Sequence, residues 1–277
     1  MKKILSLTIA LVMIFSSLAA CSVKRENVDL GSLKGNGQSS TEQTEDAEST
    51  EETTAAESES VSDTEEAVEE GFEVPPYDGG FEIGNYDNGK YYNRYLGVGI
   101  SIKDDWNVYS FEELMETNGV FADLEKLSKE DYEAMMRDGQ VAGFNDFFAI
   151  EDSVSNYRRT IIQVSAVNTS VDESTLSELE SDPAVFKDFL AEGTLPFVEE
   201  GLEESGIAIR SEGEFVEVDL NGTPALAVRY TATSNGYVCY MDIVVKTAGS
   251  YLVTAIVAST VGKNAVSDVL DRMYILD

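Results

Sequence analysis

The side chains able to do chemistry are unevenly supplied in this chain of 277 residues, which has two cysteines and no histidine. That inventory excludes a Ser-His-Asp triad, a Cys-His pair and a histidine-based zinc site. No Ser-x-x-Lys spacing occurs, which removes another route to acyl transfer without histidine. Gly97-Val98-Gly99 lacks the third glycine and following helix of a phosphate-cradling loop, and no calcium-loop spacing is present. The residues point to no cofactor, metal or catalytic group. Carboxylates are abundant, so paired acids for glycoside hydrolysis survive on inventory alone. The most pointed cluster is Asp104-Asp105-Trp106, where the only tryptophan stands beside two acids. Such an aromatic platform suits a sugar; the plainer role is a polar turn ahead of a core tryptophan. Glu199, Glu200, Glu203 and Glu204 form an acidic helical patch, read most simply as a solvated face. Cys239, within Tyr237-Val238-Cys239-Tyr240-Met241, reads as a buried small hydrophobe rather than a reactive thiol.

Cys21 is different. It follows a basic head at Lys2 and Lys3, an apolar body over residues 4–18 and the small residues Ala19 and Ala20. This is the layout of a secretory signal, too short and too interrupted by serine and threonine for an ordinary spanning helix. Leu18-Ala19-Ala20-Cys21 resembles the lipobox of bacterial lipoproteins. The resemblance implies cleavage before Cys21, a diacylglycerol on its thiol and further acylation such as palmitate. It places the mature chain on the extracytoplasmic side of the cell membrane. One acyl chain holds marginally and two hold well, at about 0.8 kcal/mol per buried CH₂.

The formal charge is −33, which argues against nucleic acid and anionic lipid surfaces as partners, since both demand clustered Lys and Arg. Residues 22–90 carry 19 acids against four bases. Within them, 39–70 is almost wholly Ser, Thr, Glu, Asp and Ala. Such a stretch cannot bury enough apolar surface to offset its ordering entropy. The expected organisation is a signal peptide over 1–20, a disordered acidic linker over 21–85 and a folded domain over 86–277. The linker reads as a spacer that lifts the domain off the membrane.

The domain is expected to be α+β, an antiparallel sheet flanked by helices on both sides. Two short strands surround Gly97-Val98-Gly99. Ser110-Phe111-Glu112-Glu113 has the form of a capping box opening a helix. A second helix follows Ser128, with Tyr132, Met135 and Met136 on one face and Gly139 as its stop. Residues 144–151 and 160–167 read as strands. Asp182-Pro183 starts a helix bearing Phe186, Phe189 and Leu190, and a further turn or helix carries Leu195, Val198 and Leu202. Asn221-Gly222, Asn235-Gly236 and Ala248-Gly249 then punctuate a four-strand meander over 215–220, 225–231, 237–246 and 251–258. A closing helix places Val266, Val269, Leu270 and Met273 on one face. Ile243-Val244-Val245 and Ala255-Ile256-Val257 are apolar on both faces, as strands covered on both sides must be.

Tyr92, Asn93, Tyr95 and Gly97, a short strand and Trp106 together resemble the opening of PsbP-like domains. The Asn-Gly hairpin, the last strand pair and the closing helix resemble them as well. The superfamily, which includes Mog-like Ran-binding proteins, implies an α/β/α sandwich. Lys103-Asp104-Asp105 stands where that family often has proline shortly before the tryptophan. The resemblance carries the fold; no residue tied to the photosystem role or to Ran binding is present to carry either. The functional expectation is a membrane-anchored, non-catalytic module that docks a protein or cell-envelope component. A carboxylate-dependent enzyme acting on envelope glycans and a structural surface spacer are the alternatives.

Overall fold

The computed structural model describes residues 80–118, 128–137, 143–151, 158–169, 171–204, 206–234 and 236–276. Cys21, the signal segment, the linker up to residue 79 and Gly139 lie outside the described residues, as do the side chains of Tyr132, Met135 and Met136.

Every strand pairing among the described residues is antiparallel. The small sheet runs β1 (Asn85–Asp87), β2 (Lys90–Asn93), β3 (Val98–Ser101) and β12 (Met273–Ile275). The large sheet is ordered β4 (Trp106–Val108), β5 (Gly143–Glu151), β6 (Thr160–Asn168), β11 (Tyr251–Ser259), β10 (Tyr237–Ala248), β9 (Thr223–Ser234) and β7 (Ile207–Ile209). β8 (Glu214–Leu220) shares with β7 the outer edge of β9. The helices are α1 (Phe111–Asn118), α2 (Lys129–Arg137), α3 (Glu173–Ser181), α4 (Pro183–Gly193), α5 (Leu195–Glu204) and α6 (Lys263–Leu270).

Local chemistry accounts for these boundaries. Asn221 and Gly222 both take positive φ, 49° and 88°, as the two-residue loop between β8 and β9 requires. Ser110 and Glu113 cap α1 reciprocally, each accepting the other's backbone N–H at 3.3 and 2.9 Å. Asp182 closes α3 and opens α4, accepting from the amides of Ala184 and Val185 with Pro183 in the first turn.

The large sheet is covered on both faces by different materials. Ile243 and Val245 of β10 and Leu252 and Ile256 of β11 share a core with Phe186, Leu190, Val198 and Leu202 of α4 and α5. The alternate residues Val244, Val253, Ala255 and Val257 share another with Tyr91, Val98 and Ile100 of the small sheet and Val266 and Val269 of α6. Burying a large aliphatic or aromatic side chain in either core contributes about 2 kcal/mol.

The expected α/β/α sandwich is therefore corrected. One outer layer is helical; the other is mainly a second antiparallel sheet with α6 beside it. Two local features produce that layer. Residues 81–101 pack as strands and turns, and Met273, expected on the closing helix, belongs instead to β12 opposite Ile100. The folded part also begins ahead of residue 86, because Phe81 and Ile83 are buried in the same core.

Candidate functional site

The site grows from one irregularity in β5. Its register against β6 shifts between Asn145 and Phe147, so Asp146 is an extra residue in the strand. Asn145 turns to Gln163 and Ser165, accepting from their side chains at 2.6 and 2.8 Å. Phe147 stacks on Tyr91 with ring centroids 4.2 Å apart. Asp146, between them, is buried against the segment that leads into β1.

Three residues donate to that carboxylate. The amide of Gly84 reaches both oxygens at 2.9 and 3.0 Å, the Tyr91 phenol reaches Oδ2 at 2.5 Å, and Asn93 Nδ2 reaches Oδ2 at 2.9 Å. Asn93 also donates to the Glu82 carbonyl and accepts from the Leu96 amide, so it fixes both ends of the turn. Gly84 has no room for a side chain, since a Cβ there would overlap Tyr91 and Asp146. Burial raises the Asp146 pKa above 3.8, against the opposing pull of the Tyr91, Gly84 and Asn93 hydrogen bonds and the charge of Lys129. Burial, followed by the nearby Asp146 charge, pushes the Tyr91 phenol well up.

A cavity of about 350 Å³ lies beside this carboxylate. It exists because β4 is short. β4 pairs only with residues 149–151 of β5, the Tyr109 amide adds one bond to the Phe148 carbonyl, and the capping box at Ser110 then carries the chain away into α1. Past the end of β4, Asn145, Asp146 and Phe147 of β5 line the cavity. Tyr86, Tyr91, Tyr109, Phe111 and Phe147 line it, and Lys129 at the start of α2 is the one basic residue among the described lining. Lys129 Nζ donates to Asn85 Oδ1 over 3.3 Å. Tyr86 is 45% exposed, with its ring 6.1 Å from that of Phe147. Its phenol pKa is raised, by burial first and then by the charge of Asp104.

Asp104, Asp105, Trp106, Glu199 and Cys239 are not among the residues that line this cavity. Trp106 is 8% exposed and opposes Glu151 across the first pair of β4. The Arg272 guanidinium stands 5.5 Å from its ring. The ring belongs to the same core as Tyr91 and Phe147. Asp104 and Asp105 lie exposed in the preceding turn. Glu199, read as part of a solvated face, accepts the buried Tyr230 phenol at 3.1 Å. Cys239 is buried, which pushes its thiol pKa up to about 11. Among the described residues no group of three or more acids and cysteines forms a metal site, and no helix is long and apolar enough to cross a membrane.

Asp146, Tyr91 and Gly84 were not legible as a site. They lie 55 and 62 residues apart across the contact, and only the bulge turns Asp146 toward them.

No protein-family model and no curated protein matches the chain. Solved structures with a distant likeness include two. One is LpqN, involved in cell envelope biogenesis of Mycobacterium tuberculosis, at 11% identity and TM-score 0.33 over 65% of this chain and 83% of that one. The other is a protein of Bacteroides thetaiotaomicron VPI-5482, at 8% identity and TM-score 0.34 over 68% of this chain and 48% of that one. At these scores neither likeness carries a functional argument.

Proposed function

We propose that this chain is a lipoprotein held at the extracytoplasmic face of a cell membrane through Cys21. Its folded part is a non-catalytic module that recognises a protein or cell-envelope component in the cavity beside Asp146. The observation that carries this reading is the cavity itself: aromatic walls around a small number of convergent polar groups, the usual make-up of a ligand site. The one acid among its described lining residues already accepts from three residues of its own chain, an arrangement suited to holding a surface in shape rather than to moving protons. The PsbP-like resemblance contributes the expectation of a sheet-based domain and no activity.

Two measurements test it. Labelled palmitate is expected on the wild-type chain and absent from Cys21→Ala. A photoreactive residue in place of Tyr86 is expected to give a specific adduct in cells that the same residue in place of Val185, an equally exposed position on α4, does not give. Identical adducts at both positions would end the cavity's claim.

A further inference from the structure

We propose that the cavity beside Asp146 binds an organic cation, a short alkyl chain ending in a primary or quaternary ammonium. This rests on reading the cavity as a binding site and names the chemistry of its ligand.

The two buried aspartates of the described core differ in one respect. Asp242 is met by a guanidinium, Arg229 donating to both its oxygens at 2.8 and 2.7 Å. The hydrogen bonds to Asp146 among the described residues come from neutral donors, the Gly84 amide, the Tyr91 phenol and the Asn93 amide, and Lys129 acts on it through charge alone. Such donors solvate a carboxylate without cancelling its charge, and a charge in a poorly polarisable setting acts strongly on whatever enters next to it. What it faces is an aromatic enclosure. Ring faces carry partial negative charge and attract cations placed over them. Tyr86 is the only one of the exposed large hydrophobic residues that lines this cavity, and its ring is backed by Phe147, which is backed in turn by Tyr91.

The surrounding charge has the same sign. Asp104 acts on the Tyr86 phenol, and Glu133 accepts from the Ile83 amide at 3.4 Å, Ile83 being part of the cavity wall. A chain with a formal charge of −33 concentrates small cations and repels anions. Lys129 is the one opposing charge among the described lining residues. It makes a long bond to a neutral acceptor, Asn85, and stands where it would repel a second cation. It thus gives the proposal a signed test. If the ligand is a cation, removing this ammonium strengthens binding; if the ligand is an anion, removing it abolishes binding. The volume of about 350 Å³ lies at the small end of ligand sites, enough for an alkylammonium group and its chain.

The test is calorimetric titration of the full-length protein in detergent with three probes: choline, its neutral isostere 3,3-dimethylbutan-1-ol, and benzoate. Choline is expected to bind about tenfold more tightly than the isostere, and Tyr86→Ala to weaken it by about the same factor. Lys129→Met is expected to tighten choline binding by about threefold, and Tyr237→Ala, a comparably exposed tyrosine outside the cavity, to leave it unchanged. Tyr86 stands on an edge strand, so its truncation tests the site without removing the buried bonds to Asp146. Equal binding of choline and the isostere, or weaker choline binding by Lys129→Met, overturns the cation. Preference for benzoate, lost in Tyr86→Ala, overturns the cation and keeps the cavity as a site. Heat with none of the probes overturns the cation; if the position-86 adduct is also missing, the cavity reading falls with it.

Discussion

The Tyr91 phenol donates to Asp146 over 2.5 Å, and both side chains are buried. The pair joins the second strand of the small sheet to a bulge in the large one. Burial outweighs the hydrogen bonds, so the folded protein holds the Asp146 proton more tightly than an unfolded chain does. The stability from this group is fully present below pH 3.8 and is lost as pH rises through the raised, folded pKa. Urea denaturation across a pH series is expected to show wild type losing stability relative to Asp146→Asn as pH increases above that value. A slope of opposite sign would mean that the three donors dominate.

The close approach at Gly84 makes a second prediction. A methyl group there overlaps the Tyr91 ring and the Asp146 carboxylate. Gly84→Ala is expected to destabilise the fold by about 2 kcal/mol, an overpacking cost with lost hydrogen bonds beside it. Chemical denaturation measures this directly, and an unchanged midpoint would place the segment around residue 84 elsewhere.

Arg229 and Asp242 form a cross-strand pair between β9 and β10, the guanidinium half-exposed and the carboxylate buried. Removing only the cation strands the acid. Arg229→Met is expected to cost about 3 kcal/mol, and adding Asp242→Leu to recover most of it, because two apolar residues leave no buried charge. A double-mutant cycle reads the coupling, and additive single effects would show none.

Cys239 should be inert while the protein is folded. With its thiol pKa at about 11, the thiolate at pH 8 is roughly 100-fold scarcer than in a free cysteine. In Cys21→Ala, where it is the sole thiol, reaction with a disulfide reagent is expected only after urea is added. Prompt reaction without urea would place the side chain at the surface.

The sequence was most informative where local chemistry decides structure. The capping box at Ser110, the Asp182-Pro183 helix start and the Asn221-Gly222 hairpin each act within a few residues, and each stands where its pattern predicts. The meander extends somewhat beyond its expected bounds because β9 has two neighbours on one edge, which lengthens it to Ser234. α3 was missed: Asp172 caps it by accepting the Thr175 amide, but its only fully buried apolar residue is Leu176, too little for a periodic signal. The last strand was missed because Met273 continues the spacing of α6, whereas pairing with Ile100 decides its conformation. The site was the least legible part. A period-two reading of β5 has no place for an extra residue, and nothing near Asp146 in sequence names its donors.

The small sheet joins the beginning of the fold to its end. Arg272 Nη1 donates to the Ser101 carbonyl across 171 residues, and β12 pairs with β3 immediately after it. β3 lacks its outer neighbour until residues 273–275 are in place. A product cut short before Met273 would keep most of the large sheet and display an unpaired β3, the kind of edge on which chains aggregate and which proteases and chaperones inspect. The position of β12 thus makes the loss of one short strand visible from outside the molecule.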